Sequence, residues 1–214
     1  MRALRSRSDP ASRCLPRARI AAVALAAVCV AAAVPREALA DDRPAANAMK
    51  RATTSLSDLK LPGVSLVRDD GKTVLLPEEL NDGRPVVLNF VFTSCGSICP
   101  VMSRIFSQLQ DKLGDERARV HLVSVSIDPE YDTPARLAEY ARKFHAGPQW
   151  HFYTGTTEAI LATERAFVAF RGDKMDHTPV TFLRASPGSR WVRIDGFASS
   201  DELAGELRQL LAVR

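Results

Sequence analysis

Apolar positions along the chain fall into a few distinct patterns. Val86, Val87, Leu88, Asn89, Phe90, Val91 and Phe92 form a nearly continuous run of β-branched, aliphatic and aromatic residues, as in a strand covered on both faces. This run predicts a central strand. Behind it, Val101, Ile105, Leu109 and Leu113 recur at helical spacing, and Pro100 suits the first turn of that helix, where its missing N–H costs nothing.

The rest of the chain alternates in the same way. Residues 64–67 and 73–76 flank Arg68-Asp69-Asp70-Gly71-Lys72, a hairpin signal because Asp-Gly tolerates the positive φ such turns require. Residues 120–127 predict a second inner strand. A helix follows over 134–144, with the stripe Leu137, Tyr140, Ala141 and Phe144, capped by Asp132 or Thr133 with Pro134 in its first turn. Residues 150–153 are a short strand, and Thr156 or Thr157 opens a helix carrying Ile160, Leu161, Ala166, Phe167 and Phe170. Two strands over 180–184 and 191–194 surround the turn Pro187-Gly188-Ser189, and Ser200 caps a last helix with Leu203, Leu207, Leu210 and Leu211 on one face. Strands alternating with helices predict an α/β sandwich around a mixed sheet, with an N-terminal β-hairpin.

The first forty residues read differently. Arg2, Arg5, Arg7, Arg13, Arg17 and Arg19 precede an apolar stretch over 20–34, and Ala38-Leu39-Ala40 supplies the small residues of a cleavage site. This predicts a signal peptide over 1–40 and an exported, periplasmic protein. The apolar stretch is short for a membrane span, so an uncleaved inner-membrane anchor is the weaker alternative. Residues 41–58 predict a flexible tether, and 59–214 one domain.

Removing the signal changes the charge. Of 29 Lys and Arg, seven lie in residues 1–40, and of 25 Asp and Glu, two do, leaving 22 against 23. The basic balance belongs to the export segment, so nothing argues for a nucleic-acid partner. Cys14 and Cys29 leave with the signal as well. Cys95 and Cys99 are then the only thiols, too few for a disulfide scaffold.

Those two thiols lie between the central strand and the Pro100 helix. A helix N-terminus presents unpaired N–H groups and partial positive charge, which favour a thiolate. Cysteines four apart in a helical segment have Cα atoms roughly 6 Å apart, which leaves open a reversible disulfide or a bis-thiolate site for a soft ion. His177, in Asp176-His177-Thr178-Pro179 before a predicted strand, could join them if the sheet is thioredoxin-like, and two thiolates with an imidazole suit copper. Asp176 is placed either to orient the imidazole or to form a turn. Met102 and Met175 read first as packing residues. Asp128-Pro129 and Asp132-Thr133-Pro134 read as turn and cap chemistry.

Phe92-Thr93-Ser94-Cys95-Gly96-Ser97-Ile98-Cys99-Pro100, Ser126-Ile127-Asp128-Pro129-Glu130-Tyr131-Asp132-Thr133-Pro134 and Asp176-His177-Thr178 resemble, in order, the three signatures of the Sco/SenC family. The resemblance runs from about Leu61 to the C-terminus. It implies a thioredoxin-like α/β fold and one copper, Cu(I) or Cu(II), bound by Cys95, Cys99 and His177. It also implies a chaperone role in building the copper centre of cytochrome c oxidase. The implied partner is the copper-bearing oxidase subunit or another copper or thiol protein, met by a monomer. The alternative is a thiol-disulfide reductase using Cys95 and Cys99 as its redox pair. Gly96-Ser97-Ile98 replaces the acidic pair that many members carry between the cysteines, and Pro179 gives the histidine loop the look of a thiol-disulfide oxidoreductase.

Overall fold

A computed structural model describes residues 52–213. The expected signal peptide lies outside the described residues, as does the tether up to residue 51. The strands are β1 (Thr53–Ser57), β2 (Ser65–Arg68), β3 (Thr73–Leu75), β4 (Val86–Val91), β5 (His121–Ser126), β6 (Trp150–Gly155), β7 (Val180–Arg184) and β8 (Trp191–Asp195). The helices are α1 (Leu76–Leu80), α2 (Ile98–Leu113), α3 (Pro134–Lys143), α4 (Thr157–Ala166) and α5 (Ser200–Ala212), with 3₁₀ turns at Gly114–Arg119 and Lys174–Asp176. The strands form one sheet in the order β1-β8-β7-β4-β5-β6-β2-β3.

β4 is central, as its unbroken apolar run predicts. It pairs parallel with β5 and antiparallel with β7, and β5 pairs parallel with β6, so the sheet is mixed. Side chains alternate across it. Val87 and Val91 join Phe106, Leu109 and Leu113 of α2, Leu137 and Tyr140 of α3, and Leu203 and Leu207 of α5. Val86, Leu88 and Phe90 face the other way, onto Leu76 and Leu80 of α1 and Ile160 of α4. A strand with helices on both faces has no solvent side to show as polar alternation. The one polar residue of β4, Asn89, is fully buried and accepts 2.7 Å from the Ser124 hydroxyl, which in turn accepts from Trp150 Nε1 at 3.0 Å.

The N-terminal hairpin is β2–β3, with Gly71 at φ +86° in its turn. α1 was not signalled by periodicity: it is five residues long, too short to show a period, and Pro77 opens it.

Three expectations need correction. Thr53–Ser57, placed in the tether, is an edge strand paired antiparallel with β8 from Thr53–Asp195 to Ser57–Trp191. Its first four residues are exposed, so main-chain bonds hold it and no apolar pattern announced it. The stripe of α2 is also shifted in its first turns, while Leu109 and Leu113 are buried as expected. Cys99, Met102, Phe106, Leu109 and Leu113 are buried, whereas Val101 is 37% exposed. The helix starts at Ile98, and Cys99 at the strand junction sets its phase. Finally, Ser199 rather than Ser200 caps α5: its hydroxyl accepts from Glu202 N–H and its own N–H donates to the Glu202 carboxylate, a full capping box.

Candidate metal centre and thiol pair

The thiols sit where β4 hands over to α2, at the carboxyl end of an inner strand, the edge at which open α/β sheets place their sites. A tight turn closes the junction, with Cys95 N–H donating to the Phe92 carbonyl at 3.2 Å. Ser97 is the N-cap of α2 by position, yet its side chain caps nothing. The Cys95 sulfur takes that role: it accepts the Cys99 N–H at 3.5 Å and lies 3.8 Å from the Ser97 hydroxyl. Cys99 is fully buried, and its sulfur accepts the Phe92 N–H at 3.4 Å. Both residues are free thiols.

The two sulfurs are chemically unequal. Burial pushes the Cys95 thiol up, but the N–H groups of Cys99 and Ser97 and their side chains outweigh it, and its pKa falls below the ordinary thiol value. Burial pushes the Cys99 thiol far above that value, against the pull of the Phe92 N–H, with the neighbouring Cys95 and the charge of Asp132 adding to the rise. Cys95 is therefore the poised nucleophile, half-buried at the helix start, with Cys99 protonated beneath it.

His177 follows the 3₁₀ turn Lys174–Asp176 and is only 5% exposed. The β4–β7 pairing ends at Asn89–Thr181, and the carbonyl of Phe90, one residue further, lies 3.1 Å from His177 Nε2. A carbonyl only accepts, so Nε2 carries the proton. Burial lowers the pKa of the ring, which keeps the imidazole neutral and leaves the lone pair on Nδ1. The donor set of two thiols and a neutral imidazole fits a soft ion such as copper. The structure brings Cys95 and Cys99 together but does not gather His177 with them. Among the described residues, no group of three His, Cys, Asp or Glu side chains is placed to hold a metal ion.

Two contacts around the site were hidden from the sequence. Lys174 Nζ lies 2.6 Å from the buried Asp128 carboxylate, tying the histidine loop to the loop after β5. Of the two expected caps of α3, Thr133 takes the role by accepting from Arg136 N–H. Asp132 instead accepts from Thr93 N–H at 3.0 Å, from the Thr93 hydroxyl, and from the Ser126 hydroxyl at 2.6 Å.

Asp176 is exposed and ends the 3₁₀ turn Lys174–Asp176. Met102 is buried in α2 and Met175 is 74% exposed. The other histidines serve elsewhere. His121, at the opposite end of β5, is held by burial at a pKa of about 4 and bonds the Tyr153 hydroxyl at 3.0 Å, which donates to Glu79. Among the described residues no helix is long and apolar enough to cross a membrane.

The SCO1/SenC family model matches residues 62–212. The SCO1 protein homolog of Bacillus subtilis (strain 168) is 37% identical over 93 residues, covering 43% of this chain and 47% of that protein. Protein SCO1 homolog 1, mitochondrial, of Arabidopsis thaliana is 33% identical over 160 residues, covering 68% of this chain and 46% of that protein. The chain thus spans about half the length of these curated relatives. The crystal structure of Arabidopsis thaliana ScoI with copper bound aligns at a TM-score of 0.60 and 29% identity, covering 72% of this chain and 100% of that chain.

Proposed function

The chain belongs to the SCO1/SenC family, and from that premise we propose that it is a periplasmic copper-binding protein that delivers copper during assembly of cytochrome c oxidase. The observation that carries this reading is the strand-to-helix junction, where one half-buried, lowered-pKa thiol caps the helix above a second, buried thiol. The copper carried by the related Arabidopsis structure supports it.

Copper is cargo here, one ion per chain. Cys95 and Cys99 are the first donors, since they already share the junction, and His177 Nδ1 completes a trigonal set once the histidine loop moves its ring toward the sulfurs. Deprotonating Cys99 is costly in its buried setting, so binding draws on the metal's own affinity for thiolate and releases protons. Delivery then proceeds by exchange of these ligands for the cysteines and histidines of an acceptor, proposed as the copper-bearing oxidase subunit, met by a monomer outside the cytoplasm.

A reductase reading is favoured by the inequality of the thiols. Cys95 thiolate would attack an acceptor disulfide, releasing one acceptor thiol and forming a mixed disulfide. Cys99, giving up its proton, would then displace the second acceptor thiol and leave a Cys95–Cys99 disulfide.

A Cu(I) titration of the reduced protein against a competing chelator, without oxygen, tests the first reading. One tight copper that is lost in Cys95→Ala and Cys99→Ala and greatly weakened in His177→Ala is the expected result. Weak binding indifferent to His177 would overturn copper delivery. A Cys99→Ser variant that then traps a partner through Cys95 would put thiol reduction in its place.

A further inference from the structure

Asp132 is the least expected residue around the thiols. It is fully buried, and the Lys174 ammonium that feels its charge is bonded to Asp128 instead. A carboxylate removed from water is costly unless donors surround it, and here three do: Thr93 N–H, the Thr93 hydroxyl and the Ser126 hydroxyl. None of these donors belongs to α3, the helix Asp132 precedes. Two lie in the junction that carries Cys95, and the third ends the neighbouring strand β5. The Ser126 hydroxyl is fixed in turn, accepting from Asp128 N–H at 3.0 Å.

The placement matters because of what holds the next peptide group. Phe92 N–H is held by the Cys99 sulfur, and Thr93 N–H by Asp132. When the Cys99 sulfur bonds a metal ion or the other sulfur, its hold on Phe92 is altered. Asp132 bonds neither sulfur, and its bonds to Thr93 and Ser126 are not exchanged when the Cys99 sulfur changes partner; it acts on that sulfur only through its charge.

We propose that Asp132 is the positioning residue of the thiol pair: its carboxylate pins Thr93 to the end of β5, so that Cys95 keeps its place over the start of α2 while the Cys99 sulfur changes partners. The inference rests on Cys95 and Cys99 being the reacting pair. Groups that orient metal ligands from behind typically change affinity about 10- to 100-fold when removed.

The test uses the full chain and three variants. Asp132→Asn turns one acceptor into an N–H facing other donors. Thr93→Val removes only the hydroxyl bond, and Thr93→Ser restores it. Two quantities are read on protein whose circular dichroism matches wild type. One is Cu(I) affinity against a chelator. The other is the equilibrium with dithiothreitol, in which the protein dithiol gives two electrons and two protons to the cyclic disulfide of the oxidised reagent.

Copper affinity is expected to fall about 10- to 100-fold in Asp132→Asn and about tenfold in Thr93→Val. Thr93→Ser is expected to behave as wild type. The thiol equilibrium is expected to move toward the dithiol in the same order, because a loosened junction presents Cys99 to Cys95 less often. Folded Asp132→Asn with a wild-type dithiothreitol equilibrium would overturn the proposal, as would Thr93→Ser as impaired as Thr93→Val. If wild type itself binds no Cu(I), copper delivery fails, and the dithiothreitol equilibrium alone decides the role of Asp132.

Discussion

Replacing Glu164 with glutamine should make the protein less sensitive to alkaline pH. Glu164 lies on α4, is 6% exposed, and lines a small cavity of about 70 Å³ shared with Ile127, Phe170, Arg171 and His177. Burial raises its carboxyl from 4.5 to about 7, with only the charge of Arg165 opposing. The folded state therefore holds this proton more tightly than the unfolded chain. Stability from the neutral carboxyl is complete below 4.5, declines as pH rises toward 7, and stays lower above it. At about 1.4 kcal/mol per unit the full shift corresponds to about 3 kcal/mol. A cavity of this size admits water, which reduces the effect to roughly 1–2 kcal/mol. Urea unfolding of wild type and Glu164→Gln at pH 5 and pH 8 checks this. Taking the difference between the two proteins cancels the titration of His121 and the other groups they share. The advantage of the glutamine variant should grow by roughly 1–2 kcal/mol between the two conditions. An unchanged difference would refute the reasoning, because it would mean that the carboxylate ionises as it does in water.

Iodoacetamide at neutral pH should label Cys95 well before Cys99, as read by mass spectrometry of the digested protein; equal labelling would contradict the assigned inequality of the thiols. Lys174→Met should loosen the histidine loop, seen as faster amide hydrogen exchange over residues 171–178 with the rest of the sheet unchanged. Leu109→Ala, fully buried between α2 and the sheet, should cost about 2–5 kcal/mol in chemical unfolding. Ser199→Ala, which removes the capping box of α5, should cost only about 1 kcal/mol in the same assay.

The fold was legible in the sequence wherever burial imposed a period or a turn demanded a residue. β4 could be read because helices cover both its faces and every position had to be apolar or, like Asn89, internally bonded. α3 was legible through Thr133 and Pro134, and the hairpin through Gly71. What escaped was held by bonds that leave no periodic trace. β1 adheres through its main chain, and α1 is too short for a stripe. In the first turns of α2 the buried face runs through Met102 and Phe106, one position on from Val101 and Ile105, before it meets the expected Leu109 and Leu113.

The thiol pair and His177 differ in the same sense. Cys95 and Cys99 are four apart across one junction, so local geometry brings them together and their residue types announce the chemistry. His177 comes near the end of β4 only through the β4–β7 pairing, and its ring is held by the Phe90 carbonyl, left where β4 outruns β7, rather than gathered with the sulfurs. No local pattern encodes that competition. Asp132 shows why a motif letter underdetermines a role. In Asp132-Thr133-Pro134 both the aspartate and the threonine can cap a helix, and one cap suffices. Once Thr133 accepts the Arg136 N–H, Asp132 is free to turn inward. Its three donors come from residues 93 and 126, which the fold alone makes neighbours of residue 132. The carboxylate that sets the ground beneath the thiols is therefore a product of topology.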